Sequence, residues 1–216
     1  MTETPGTPET PAPPPPTARP PAVTEAAADY PLRLDIEPQE EYARFMPLVK
    51  WLLAIPHYIV LILLAIGAFF AILISWFAVV FTRRYPRGLF DYVVGVYRWA
   101  TRVNAYVFLM TDRYPPFTLQ DDPDYPAHFE IEYPEEGVDR WRPFLAWLLA
   151  IPYLFAATIL VYLAQIIVFF AFFTILFTKR FPEGMFKIVL IALRWQARGN
   201  AYAYWMTTRY PPFVWD

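Results

Sequence analysis

Between Pro56 and Phe81 the chain carries no charged side chain, and between Pro152 and Phe177 it again carries none. Each block is 26 residues long. As a helix, such a block extends about 39 Å at roughly 1.5 Å per residue, enough to cross a hydrocarbon core of roughly 30 Å. A 216-residue soluble chain lacks the polar surface to wrap two such rods, so buried core helices are the poorer reading. Composition agrees, with 18% charged residues and 19% aromatics, against about 25% charged in soluble domains. The expectation is a multi-pass integral protein of the cell membrane. Residues 1–28 lack an apolar signal-peptide region, so the first block is expected to serve as its own insertion signal.

The blocks belong to a duplication. WLLAIP occurs at Trp51–Pro56 and at Trp147–Pro152, and RYPPF at Arg113–Phe117 and Arg209–Phe213. Arg44–Phe117 aligns without a gap on Arg140–Phe213, with 31 of 74 positions identical. A short flank precedes each copy, LDIE at Leu34–Glu37 and FEIE at Phe129–Glu132. Its alternation of apolar and acidic residues predicts a short strand or extended segment. The domain reading is a disordered Pro-rich tail over 1–29, repeat one over 30–119, an acidic linker over 120–124 and repeat two over 125–216. The tail has too few apolar residues to offset chain entropy.

Identities between the copies are uneven. Within His57–Phe81 only Leu64, Ala68, Phe77 and Phe81 match their counterparts. Matches crowd instead at the borders: WLLAIP, the turn TRRYPRG or TKRFPEG, the stretch R-W-x-x-R-x-N-A-Y, and RYPPF. Lipid constrains the middle of a span mainly by hydrophobicity, so its letters drift. Borders face headgroups, turns and packing partners. Each copy therefore reads as a long helix kinked near Pro56 or Pro152, a basic turn, and a second helix over about Leu89–Met110 or Met185–Met206. The fold class is an all-α integral membrane protein built as a tandem repeat.

The second helix carries Arg98 and Arg102 on one face, and its counterpart carries Arg194 and Arg198. As a crossing segment it would place Arg98 near the bilayer centre, at a cost of roughly 2.5–3.5 kcal/mol. As an interfacial helix it would use its many Tyr and Trp residues at headgroup depth. The interfacial reading is preferred. It implies two spans, with copies of inverted orientation. Candidate headgroup-binding or pore-lining residues are Arg98, Arg102, Asn104, Arg194, Arg198 and Asn200. Candidate interfacial anchors are Trp51, Trp99, Tyr114, Trp147, Trp195 and Tyr210.

A long apolar helix, a basic turn closed by proline, an amphipathic helix and a Pro-aromatic ending together resemble a bacterial family of integral membrane proteins classed as a domain of unknown function. The resemblance covers Arg44–Phe117 and Arg140–Phe213. It implies a membrane location and no established activity. The residues themselves offer no catalytic pattern: HExxH, GxSxG and phosphate-cradling glycine loops are missing from the sequence. His57 is replaced by Tyr153 in the second copy, so it is not part of a duplicated site. With no cysteine there is no thiolate metal site, and neither a metal nor a cofactor is expected. The function expected is a non-enzymatic membrane scaffold or accessory protein that binds lipid headgroups. Its partners would be membrane lipids, anionic ones foremost, and further copies of itself or another membrane protein, with no nucleic acid. The alternative is an oligomeric small-ion channel, selective for anions, or a transporter subunit.

Overall fold

A computed structural model describes residues 29–215. The expected disordered tail lies outside the described residues except for Asp29. Seven elements follow in order: β1 (Leu32–Ile36), α1 (Met46–Leu53), α2 (Ile55–Thr82), α3 (Arg87–Val107), β2 (Ala127–Ile131), α4 (Arg142–Thr178) and α5 (Glu183–Ala203). The chain is mostly helical. Two helical stretches, Met46–Thr82 and Arg142–Thr178, are long and apolar enough to cross a membrane. The first of these rods breaks at Ala54, two residues before Pro56, where the proline ring removes a donor and crowds the preceding turn. The second runs unbroken through Pro152, so the kink expected there is not a helix break.

Both rods end in the same turn. Arg83 and Lys179 adopt left-handed φ values of 59° and 57°. Their N–H groups bond to Val79 O and Ile175 O. The Thr82 and Thr178 hydroxyls donate back to Ala78 O and Thr174 O at 2.6 Å, and accept from the N–H of Arg84 and Arg180 at 3.3 Å. The chain then reverses. Helix α3 runs back along its own rod, with the Tyr92 hydroxyl donating to Leu64 O at 3.1 Å and the Trp99 indole donating to His57 Nδ1 at 3.1 Å.

The copies are joined head to tail. Tyr42, ahead of the first rod, donates its N–H to Lys179 O at the end of the second (2.9 Å). Val138, ahead of the second rod, donates to Arg83 O at the end of the first (2.8 Å). The rods are therefore antiparallel, as the inverted-copy reading requires. The two flanking segments meet as an antiparallel ribbon, in which Leu34 faces Phe129. Leu32, Leu34, Ile36, Ala127 and Phe129 point inward, while Arg33, Asp35 and Glu130 point to solvent. Strand β2 packs on α3 and strand β1 on α5, so each copy's strand covers the other copy's second helix. The result has three layers: apolar rods, amphipathic helices, and a ribbon with a charged outer face.

Packing within the two copies differs. Ala150, Ala157, Ala164 and Ala171 recur every seventh residue on α4 and are fully buried, which puts them on one face. Small side chains let α5 approach along most of its length. A Cβ added at Gly199 would lie only 2.6 Å from Leu154 Cδ2. The first copy has Leu61 where the second has Ala157, and α3 diverges from its rod. A groove of about 730 Å³ opens there, lined by Ala68, Trp76, Val96, Tyr97, Trp147 and Trp205. Overpacking the closed interface with Ala157→Leu is expected to destabilise the fold by about 1–3 kcal/mol. An unchanged melting temperature in detergent would show that α4 and α5 are not in close contact there.

Candidate functional site

The R-W-x-x-R motif places one arginine pair on α3 and another on α5, and the ribbon and linkers lie directly over them. Arg98 Nε donates to Phe129 O at 3.2 Å, and Arg194 Nε donates to Leu34 O at 2.8 Å. These carbonyls belong to facing residues at the ribbon centre. Arg194 also pairs with Asp35 at 2.5 Å. The two arginines thus hold the ribbon from below, one on each strand, through charge-assisted bonds.

The second arginine of each pair is deeper. Arg102 is 2% exposed and Arg198 is 3% exposed. Arg102 donates to Thr118 O, and burial pulls its guanidinium below the ordinary arginine range, with Asp122 and Asp121 opposing that shift. The Tyr125 hydroxyl donates to Arg102 O at 3.3 Å and to Arg113 O at 3.0 Å. In the other copy the Arg198 guanidinium lies 5.7 Å from the Tyr30 ring, and the Tyr30 hydroxyl reaches Arg209 O at 3.5 Å. Arg113 donates to Asp124 O, and Arg209 to Asp29 O. Arg209 also pairs with the Asp29 carboxylate at 2.5 Å, and that hydrogen bond and charge hold the Asp29 carboxyl below its usual range. An Asp-Tyr-Pro step before each strand is therefore docked on the arginines of the opposite copy. The chain itself encloses the Arg102 and Arg198 side chains, which the sequence reading offers as headgroup-binding or pore-lining candidates. Arg98 and Arg194 are half-buried and committed to backbone carbonyls.

Asn104 is exposed and Asn200 half-buried, the latter accepting from Gln196 Nε2 at 3.1 Å. Both line a small cleft of about 100 Å³ between α3 and α5, beside Leu34, Tyr97 and Thr101. The anchor candidates divide into two sets. Trp51, Trp147, Tyr114 and Tyr210 are exposed. Trp99 and Trp195 are buried, and they organise aromatic clusters. His57 stacks on Phe117 at 4.0 Å and meets the tilted Tyr114 ring at 4.8 Å, while its Nδ1 accepts from the Trp99 indole. In the second copy Tyr153 stacks on Trp195 at 5.1 Å and meets Phe213 at 5.0 Å, while the Trp195 indole donates to Val214 O at 2.8 Å. The border motifs shared by the two copies thus converge. RYPPF folds back onto the tryptophan of R-W-x-x-R, against the residue that follows WLLAIP.

One buried ion pair has no motif in the sequence. Lys50 is 1% exposed and pairs with Asp112 at 2.7 Å, while donating to Thr111 O at 2.7 Å. The second copy has Ala146 and Thr208 at these places. The joint departure of both partners was the available signal. The basic residues of the two border turns, Arg83 and Arg84 with Lys179 and Arg180, are exposed at the rod ends. Among the described residues, no cluster of three His, Cys, Asp or Glu side chains is placed to hold a metal ion.

The family model described as a domain of unknown function (DUF4389) matches the chain twice, over residues 47–118 and 140–214. No curated protein matches the chain, and no solved structure does.

Proposed function

We propose that this chain, which belongs to the DUF4389 family and carries two tandem copies of its domain, is a non-enzymatic membrane scaffold. It seats two apolar rods in lipid and meets anionic headgroups with the basic residues at the rod ends. It offers the polar ribbon face to a further copy or a partner protein. One observation carries the reading. Large apolar side chains stand exposed along both rods, from Phe45 to Phe81 and from Trp141 to Phe177. Monomeric soluble proteins rarely expose a contiguous apolar patch above a few hundred Å², whereas lipid covers such a face at no cost. The arginine pairs support a scaffold rather than an anion channel, since a pore ring needs guanidinium groups in a lumen and these close the fold.

The test uses Leu63 and Ile159, equivalent and exposed positions on the two rods. Wild-type protein is expected to stay in the membrane fraction through an alkaline carbonate wash. Leu63→Asp with Ile159→Asp should release it, because each carboxylate costs up to about 2.5–3.5 kcal/mol in hydrocarbon. Recovery of the wild type as a monodisperse soluble protein would refute the membrane reading altogether.

A further inference from the structure

We infer that both rods lie in the plane of a single leaflet rather than crossing the bilayer, so that the whole chain is held from one membrane face with its ribbon in water. The inference rests on the membrane reading and names the surface that the apolar face fits.

The order of the layers carries the argument. The ribbon is separated from the rods by α3 and α5, and its outer face shows Arg33, Asp35 and Glu130 to solvent. The ribbon also lies over the middle of the rods. Trp76 of the first rod meets Phe144 of the second at 4.9 Å. With the rods antiparallel, that contact puts the pseudo-twofold axis near Ile62 and Thr158, close to both midpoints. The Leu34–Phe129 pair lies on the same axis. Rods standing upright in a bilayer would therefore carry the charged ribbon face to mid-depth, where every unpaired charge is expensive.

Rod length points the same way. Exposed apolar side chains extend over 37 residues in each rod, Phe45–Phe81 and Trp141–Phe177. Along the unbroken second rod that is about 54 Å of helix, which fits a core of roughly 30 Å only at a tilt near 55°, outside the usual range of about 0–40°. Laid flat, a helix about 10 Å across fits within half of that core. The axis then becomes the membrane normal. Apolar rods face the acyl chains, amphipathic helices occupy the interface, and the ribbon faces water. The basic groups fall into place as well. Arg83, Arg84 and Arg140 are exposed at one end of the layer, and Arg44, Lys179 and Arg180 at the other. In the flat arrangement both sets reach the phosphates of one leaflet.

The chain has no cysteine, so single cysteines report sidedness directly. Glu136→Cys marks the Arg83 end, Glu41→Cys the Lys179 end, and Glu130→Cys the ribbon. All three positions are exposed. Carbonate-washed membranes from expressing cells, prepared right-side-out and inverted, are treated with an impermeant maleimide. One-leaflet seating predicts that all three cysteines label from the same face and none from the other. Labelling of the two end positions from opposite faces, or protection of the ribbon cysteine from both, overturns it in favour of crossing rods. Release of all three proteins by the carbonate wash overturns the underlying membrane reading instead, so the two failures are told apart.

Discussion

Asp112→Ala is expected to destabilise the protein by about 3–5 kcal/mol, because it strands a charge inside the fold. Lys50 enters the core at the start of the first rod, where the second copy has Ala146. Its ammonium is held by Asp112 Oδ1 and Thr111 O, both at 2.7 Å. The other Asp112 oxygen accepts the Ala43 N–H at 2.6 Å, and the Asp112 N–H is capped by Gln39 Oε1. Removing the carboxylate leaves Lys50 with one carbonyl and no counter-charge, and frees the segment ahead of the rod. Removing both partners is a different matter. A buried charge and its half-buried partner that vanish together take their desolvation cost with them, and substitution of such a pair by uncharged groups is often neutral. Lys50→Met with Asp112→Thr should therefore recover most of the loss, much as Ala146 and Thr208 serve the second copy. Unfolding in detergent gives the double-mutant cycle. A cycle without coupling, or an Asp112→Ala protein as stable as the wild type, would mean that the pair is not closed in the folded protein.

The duplication, the two apolar rods, the basic turns and the second helices were all legible, because each is written locally in charge-free length, in Pro and Gly, or in helical spacing. The flanks LDIE and FEIE were legible as extended segments for the same reason. Their pairing was not. Leu34 and Phe129 are 95 positions apart, and nothing local encodes the register of two such distant segments. Nor does a sequence say that each strand will cover the opposite copy. The sequence allows the second helix to be a crossing helix or an interfacial, half-buried one, and the fold adds what covers its two sides. Its apolar side lies on its rod and its arginine side lies under the ribbon.

The same limit explains the site. The i, i+4 spacing marks the four arginines as two matched stripes. Their acceptors are backbone oxygens of Phe129, Leu34 and Thr118, and a carbonyl has no residue signature. Spacing alone therefore favoured an external anion. Trp99 and Trp195 raise a related ambiguity. A tryptophan at a lipid interface and one at the centre of an aromatic cluster look alike in a sequence, since both want an apolar body with a partner for the N–H. The folded chain supplies that partner as His57 Nδ1 in one copy and Val214 O in the other.

Cutting the chain in the acidic linker should leave two fragments that fold only together. Residues 1–120 contain β1, the first rod and α3. Residues 121–216 contain β2, the second rod and α5. The cut severs no helix or strand, yet it leaves each second helix dependent on a strand from the other fragment. Within 1–120, Arg98 and the apolar face around Val93 and Tyr97 lose their cover when Phe129 is absent, and Tyr97 loses the ring stacked on it at 5.4 Å. Within 121–216, Arg194 loses Leu34 O and Asp35, and Arg198 loses Tyr30. The ribbon itself cannot form, because a lone strand has no partner. Expressed separately, each fragment should aggregate or be degraded in the membrane. Expressed together, they should co-purify in equal amounts through a tag on either one. Hydrogen bonds to a charged group contribute about 1.5–3 kcal/mol. Arg98→Ala with Arg194→Ala removes three of them, to Phe129 O, Leu34 O and Asp35, and should weaken association by more than about a hundredfold, since each 1.4 kcal/mol is tenfold. Two fragments that each purify alone as stable, monodisperse species would show that the copies are independent domains and that the shared ribbon does not hold them.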